Sequence, residues 1–257
     1  TSGGAVTINN SSFSGNNSAN GTTGGGAVYI NGGTNSASLN ISGTTFSNNS
    51  MTSSASGQAG GAISCILCTL TITSSTFDSN SATSTGGTSG GGALYINSNL
   101  SATLNSLIFS NNSVSASSDA YGGAIHVSSQ GGRSPALTIT NSRFSGNSTS
   151  GATSQGGAMA LLNGTVTLTN ITVSGNTAAT SGGGIRLATG TFNLNNSIIA
   201  NNGSNDCFSS AGTVNAQYSL IESDLSCVNG TSTNNVIGDP ALNGDLTLSA
   251  ASFAVNG

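Results

Sequence analysis

Two short phrases alternate along this chain, and together they leave few folds open. The first is a glycine pair followed by a small and then an apolar residue: GGAVYI from Gly25, GGAISC from Gly60, GGALYI from Gly91, GGAIHV from Gly122, GGAMAL from Gly156 and GGGIRL from Gly182. The second is an aromatic or aliphatic residue followed three positions later by Asn: Phe13/Asn16, Phe46/Asn49, Phe77/Asn80, Phe109/Asn112, Phe144/Asn147, Val173/Asn176 and Ile199/Asn202. Successive copies lie about 26 to 35 residues apart, a solenoid period. Between the phrases run period-2 segments such as Leu70-Thr-Ile72, Leu137-Thr-Ile139 and Val166-Thr-Leu168, whose apolar residues share one face of a strand. No stretch carries a helical period.

Short strands joined by turns at this period predict an all-β fold, a right-handed parallel β-helix of about seven or eight coils, each paired through its main chain with its neighbours. In that register Phe13, Phe46, Phe77, Phe109 and Phe144 form an internal stack. Asn16, Asn49, Asn80, Asn112, Asn147 and Asn176 form a ladder in a turn, amide bonding amide and main chain between coils. The glycines fit tight corners with positive φ or close backbone approach. The Ser/Gly/Thr-rich stretches Ser81 to Gly90 and Ser148 to Gly156 read as outward loops. The chain reads as one domain, 1–257, regular over 1–202 and less regular over 203–257.

The GGA(I/L/V) and FxxN phrases resemble the repeats of polymorphic outer membrane proteins, autotransporter-type bacterial surface adhesins, over about residues 1–202. The remainder, from Asn205-Asp-Cys207 to Gly238-Asp-Pro240, resembles the last coils of secreted bacterial β-helix proteins. The resemblance implies a β-helical rod displayed at a cell surface.

Composition narrows the role. Charged residues are 4% of the chain, the basic ones are Arg133, Arg143 and Arg186, and the net charge is −4, so no patch neutralises a phosphate backbone and nucleic acid is not expected as a partner. No run approaches the ~18 apolar residues that span a bilayer, so membrane insertion by this segment is not expected. The chain begins at Thr1 without a leader-like segment and reads as a processed or trimmed exported product, secreted or held at the cell surface. Four cysteines then suggest two disulfides. Gap-free alignment with Leu161 to Gly164 puts Cys65 and Cys68 at the ends of one turn, and Cys207 and Cys227 lie about one coil apart. A redox or metal role for Cys-Ile-Leu-Cys lacks a partner His or second CxxC.

Enzymes on this fold need clustered charge, and here five of the seven acids fall after residue 203 while Asp78 and Asp119 stand in different repeats. Asp206, Glu222 and Asp224 lack the spacing of a calcium loop. The lone His126 takes the outward position shared by Tyr29, Ser64, Tyr95, Ala160 and Arg186. No nucleophile, base and orienter can be assigned, so the expectation is a non-enzyme without cofactor. Tyr29, Tyr95, His126 and Arg186 make a candidate stripe for glycans or a second subunit.

The outward positions of the middle strands read Thr7/Asn9, Asn40/Ser42, Thr71/Thr73, Thr103/Asn105, Thr138/Thr140, Thr167/Thr169 and Asn193/Asn195. This resembles the paired Thr ranks of ice-binding β-helices. The leading expectation is an extracellular structural or adhesive protein, a filament or sheath subunit or an adhesin passenger, with partners among copies of itself, glycans or a host surface. Ice binding and polysaccharide binding or degradation are the alternatives. The chain begins halfway round a coil at Val6-Thr-Ile8 and has a last strand-like run at Leu246-Thr-Leu248. Those ends fit head-to-tail stacking or a segment of a longer rod.

Overall fold

The computed structural model describes residues 4–252 except positions 20, 22, 34–36, 58, 98–100, 130–133 and 224. Within them the chain winds as a parallel β-helix, and no helix occurs among the described residues. One coil shows the plan: Ser101–Asn105 is a central strand, Ile108–Ser110 an aromatic strand, Ser113–Ala116 a small-residue strand, Asp119–Tyr121 an outer strand and Ile125–Ser128 a glycine-led strand. Each pairs in parallel with its equivalents, so Thr103 lies between Thr71 and Thr138, and Phe109 between Phe77 and Phe144. Central and aromatic strands share one 15-stranded sheet, while the glycine-led, small-residue and outer sheets have seven, six and three strands.

Five coils from Ala37 to Leu187 carry central, aromatic, small-residue and glycine-led strands. The coil ahead of them, Ala5 to Asn31, has no fully buried strand residue, and beyond Leu187 first the small-residue and then the glycine-led strand is lost among the described residues. The expectation of seven or eight coils therefore overcounts complete ones. The Ala5 to Asn31 coil keeps all four strands without fully burying them, while beyond Leu187 the central segments Thr191–Asn195 and Thr213–Gln217 persist after the small-residue face has stopped.

The corners need left-handed backbone, and the sequence places tolerant residues there. Between central and aromatic strands Asn10, Ser74, Ser106, Asn141, Asn170 and Asn196 hold φ of 46–58°. At the next corner Asn48, Ser79, Asn111 and Asn201 hold 55–59°. The glycine pair answers two different constraints. Gly122 has φ +59°, and a Cβ there would lie 2.0 Å from the Ile125 carbonyl oxygen. Gly123 needs no such torsion, but its Cβ would lie 2.1 Å from the Gly157 carbonyl oxygen one coil away.

Inside, Phe13, Phe46, Phe77, Phe109 and Phe144 stack with centroids 4.8–5.0 Å apart and planes within 8°. Val173, Ile199 and Ile221 continue the column. The Asn ladder forms as expected: from Asn16 through Asn49, Asn80, Asn112 and Asn147 to Asn176, each Nδ2 donates to the next Oδ1 at 2.7–2.9 Å. From Asn49 onward the same amide also donates to the main chain of an aromatic one coil back, as Asn112 does to Phe77 O at 3.0 Å. The ladder passes to Asn202 and ends on a carboxylate, with Asn202 Nδ2 donating to Asp206 Oδ1 at 3.0 Å.

Sequence reasoning missed a second ladder. At the central-aromatic corner a hydroxyl accepts from the preceding coil's main chain and donates within its own: Thr44 N donates to Ser75 Oγ at 3.1 Å, and Ser75 Oγ donates to Thr73 O at 2.7 Å. Ser142, Ser197 and Ser219 repeat the arrangement. Its signal was a Ser or Thr two residues before the aromatic position.

Two expectations need correction. The stretches Ser81 to Gly90 and Ser148 to Gly156 are not plain loops, because Ser81–Ser84, Ser89–Gly90, Ser148–Ser150 and Thr153–Gln155 are strands. Their inward residues are small or hydroxylic, so hydrophobic periodicity does not reveal them. Ala82, Val114 and Ala120 bury a minor core there. Leu246-Thr-Leu248 is likewise no strand. Asp245 accepts from Thr247 Oγ1 and N at 2.6 and 3.1 Å, turning the chain so that Leu242 and Leu248 meet in an isolated antiparallel bridge.

Both disulfides are present as paired above, Cys65 to Cys68 with Cα atoms 5.7 Å apart and Cys207 to Cys227 with Cα atoms 6.0 Å apart. The first is buried at the start of a central strand. The second ties the last glycine-led strand, Cys207–Ser209, to the segment between the strands Leu220–Ile221 and Ser232–Thr233.

Candidate functional site

The central sheet turns one side chain in two to the interior, leaving the others as registered outward columns. One column runs Thr7, Asn40, Thr71, Thr103, Thr138, Thr167 and Asn193; the other runs Asn9, Ser42, Thr73, Asn105, Thr140, Thr169 and Asn195. Ranks repeat at the coil spacing seen in the aromatic stack, and columns lie about 6.7 Å apart along the strands. Thr138 is exposed, and Thr71, Thr73, Thr140, Thr167 and Thr169 are half-buried by their neighbours in the columns.

The second column is partly closed on itself. Ser42 Oγ donates to Asn9 Oδ1 and Thr140 Oγ1 to Asn105 Oδ1, both at 2.8 Å. The first column is linked at its far end, where Asn193 Nδ2 contacts Thr167 Oγ1 at 3.5 Å and Asn215 Nδ2 donates to Asn193 Oδ1 at 2.8 Å. The two columns carry no charged residue and are rich in hydroxyls and amides.

The stripe of Tyr29, Tyr95, His126 and Arg186 shares one register, as expected, but is not one open surface. Tyr29 is 43% exposed and Arg186 half-buried, whereas Tyr95 and His126 are buried at 1% and 0%. The reason lies in the residue before each glycine pair. Gly90, Tyr121 and Gln155 occupy the outer strands and face this column across the corner. The His126 ring fills the space that a Gly90 side chain would take, since a Cβ there would lie 2.0 Å from Nδ1. Tyr95 and Tyr121 pack on the imidazole with centroids 5.4 and 5.2 Å away.

Among the described residues neither His126 nitrogen has a hydrogen-bond partner, nor do Arg186 Nε and Gln155 Oε1. Burial, reinforced by the Arg186 charge, pushes the His126 imidazole down to about 3. Burial pushes the Tyr95 phenol up to about 12, although it accepts from Asn97 Nδ2 at 3.0 Å. Burial also raises Tyr121, helped by Asp119.

The late acids act within the fold. Asp206 is buried, accepting from Asn202 N and Nδ2 with one oxygen and from Ser223 N with the other. Glu222 accepts from the Asn201 main chain. Asp224 lies outside the described residues. No cluster of three His, Cys, Asp or Glu side chains that could hold a metal occurs among the described residues. Arg143 lines a groove of about 470 Å³ with Asn141, Asn170 and Thr172, and its Nη1 donates to Asp245 O at 3.3 Å, holding the returning tail against the rod.

Two segments, 106–128 and 170–187, match the Chlamydia polymorphic membrane protein repeat. Each runs from the corner before an aromatic strand, through the ladder Asn, to the glycine-led strand that closes the coil. The second has Val173 where the first has Phe109. No curated protein and no solved structure matches the chain. The chain is thus a parallel β-helix in which two coils carry segments similar to that repeat.

Proposed function

We propose that this chain is a non-enzymatic rod displayed outside a cell, and that its central face is the adhesive surface. The carrying observation is the pair of outward columns, which keep register from the first coil to Asn193 and Asn195 and contain no charged residue. Regularly spaced hydroxyls and amides suit a partner that is itself neutral, repetitive and hydroxyl-rich, such as a surface glycan. Two disulfides and the repeat match support an exported location.

Adhesion to glycan-bearing cells or immobilised glycans tests this reading. Retention should survive 1 M salt, roughly a 3 Å screening length, and should fall when Thr71, Thr138 and Thr167 are each replaced by Lys. Equal retention of the triple variant would remove the central face as the adhesive surface.

A second reading, ice binding, draws on the registered ranks Thr71/Thr73, Thr138/Thr140 and Thr167/Thr169. The bond from Thr140 to Asn105 and the interleaved Asn ranks weigh against it. A thermal-hysteresis measurement decides it.

A further inference from the structure

His126 is a buried base that, among the described residues, meets no carboxylate to stabilise its protonated form. The groups that face it are few. Its own strand, Ile125–Ser128, brings no other ionisable side chain; Leu94–Asn97 brings Tyr95, and Met159–Leu161 brings only Ala160 beside it. Ile185–Leu187 brings Arg186, whose charge acts on the imidazole. The outer strands bring Gly90, Gln155 and Tyr121, with Asp119 acting on Tyr121 from the same strand. Protonation would therefore place a cation, with neither nitrogen hydrogen-bonded, beside a second cation and between two neutral rings.

What yields is set by the two layers that enclose the ring. Below lies the glycine-led sheet, whose inward side chains Ile125 and Val127 belong to the main core. Above lie Ser89–Gly90, Asp119–Tyr121 and Thr153–Gln155, short strands over a minor core of Ala82, Val114 and Ala120. Opening the upper layer exposes little apolar surface, so it is the cheaper route to hydrating the imidazole.

We infer that His126 is a proton-operated latch: neutral, it fills the corner and holds the outer strands closed, and on protonation it releases them, uncovering Tyr95, Tyr121 and Arg186. The middle of the stripe, Tyr95 and His126, is thus masked at neutral pH and presented in acid. This inference stands apart from the adhesive role of the central face.

Hydrogen exchange of the whole protein from pH 7 to pH 4.5, corrected for intrinsic rates, tests it. The amides of Gly91, Gly122 and Thr153 donate within the outer layer, to Tyr121 O, Gln155 O and Ser118 O. Their protection should fall by up to about tenfold per pH unit below roughly 6.5, the open-state value. Central-strand amides should hold. In His126→Phe, and in His126→Gln should the larger ring disturb the corner, outer-layer protection should not depend on pH. The same pH-dependent loss in both variants, or a wild-type outer layer whose protection is constant to pH 4.5, overturns the latch. So does a wild-type imidazole NMR titration near 6.5 with the outer layer still protected.

Discussion

Asn112→Ala removes the middle rung of the amide ladder, and its cost follows from the bonds it breaks. Asn112 Nδ2 donates to Phe77 O at 3.0 Å and to Asn147 Oδ1 at 2.9 Å, while its Oδ1 accepts from Asn80 N at 3.0 Å and Asn80 Nδ2 at 2.9 Å. Asn80, Asn112 and Asn147 are all fully buried, so no water replaces the lost partner. Asn147 Oδ1 keeps the Asn112 main-chain amide as a donor. Three groups are orphaned: the Asn80 N–H, one Asn80 amide hydrogen and the Phe77 carbonyl lone pair that the side chain had used. At about 1–3 kcal/mol for each buried unsatisfied group, the loss is at least ~3 kcal/mol. Among the described residues the Asn16 side chain, at the exposed end, bonds only Asn49 Oδ1, so Asn16→Ala should cost under ~1 kcal/mol. Denaturant unfolding followed by far-UV circular dichroism measures both, with hydrogen exchange of 101–128 against 191–217 locating the weakened coils. Equal losses for the two variants, or a loss under ~1 kcal/mol for Asn112→Ala, would refute the account of the ladder as a buried, satisfied network.

Four further outcomes follow from the packing. Gly123→Ala should abolish folding or cost several kcal/mol, because its Cβ would meet main chain of two neighbouring segments, Gly157 O at 2.1 Å and Ser148 N at 2.5 Å; soluble yield and circular dichroism report it. Phe109→Ala should cost about 3–5 kcal/mol in denaturant unfolding, and Phe13→Ala, on the half-buried first coil, markedly less. Cys227→Ser opens a loop of separation 20 and should lower stability by about 3 kcal/mol, read as a shift in unfolding midpoint between oxidised variant and wild type. His126 has a depressed folded-state value, so its contribution is fully present above the unfolded value near 6.5 and is lost as pH falls toward about 3. Unfolding at pH 4.5 should be easier than at pH 7 by up to about 2.7 kcal/mol, and His126→Phe should remove that difference.

Much of this protein is legible in one dimension because a parallel β-helix repeats its environment in every coil. A residue type that recurs at the coil period reports a column, and Phe46, Phe77 and Phe109 could hardly recur so without stacking. The same logic exposes the Asn ladder, the outward Thr and Asn columns, and the pairing of Cys65 with Cys68. The hydroxyl ladder was legible too, in Ser75 and Ser142 ahead of the aromatics. Nonperiodic contacts were not. Asp206 ends the amide ladder from within a single turn, and no register announces it. Tyr95 and His126 were rightly placed on the outward side of their strands, yet outward from the interior is not the same as exposed to solvent. Whether a side chain there meets water depends on the residue across the corner, and Gly90, Tyr121 and Gln155 change size from coil to coil. Sequence by itself determined the coil, its columns and its neutrality, because these follow from periodicity. Only tertiary structure decided which outward residues are covered, because that follows from two strands meeting at an angle that neither strand encodes alone.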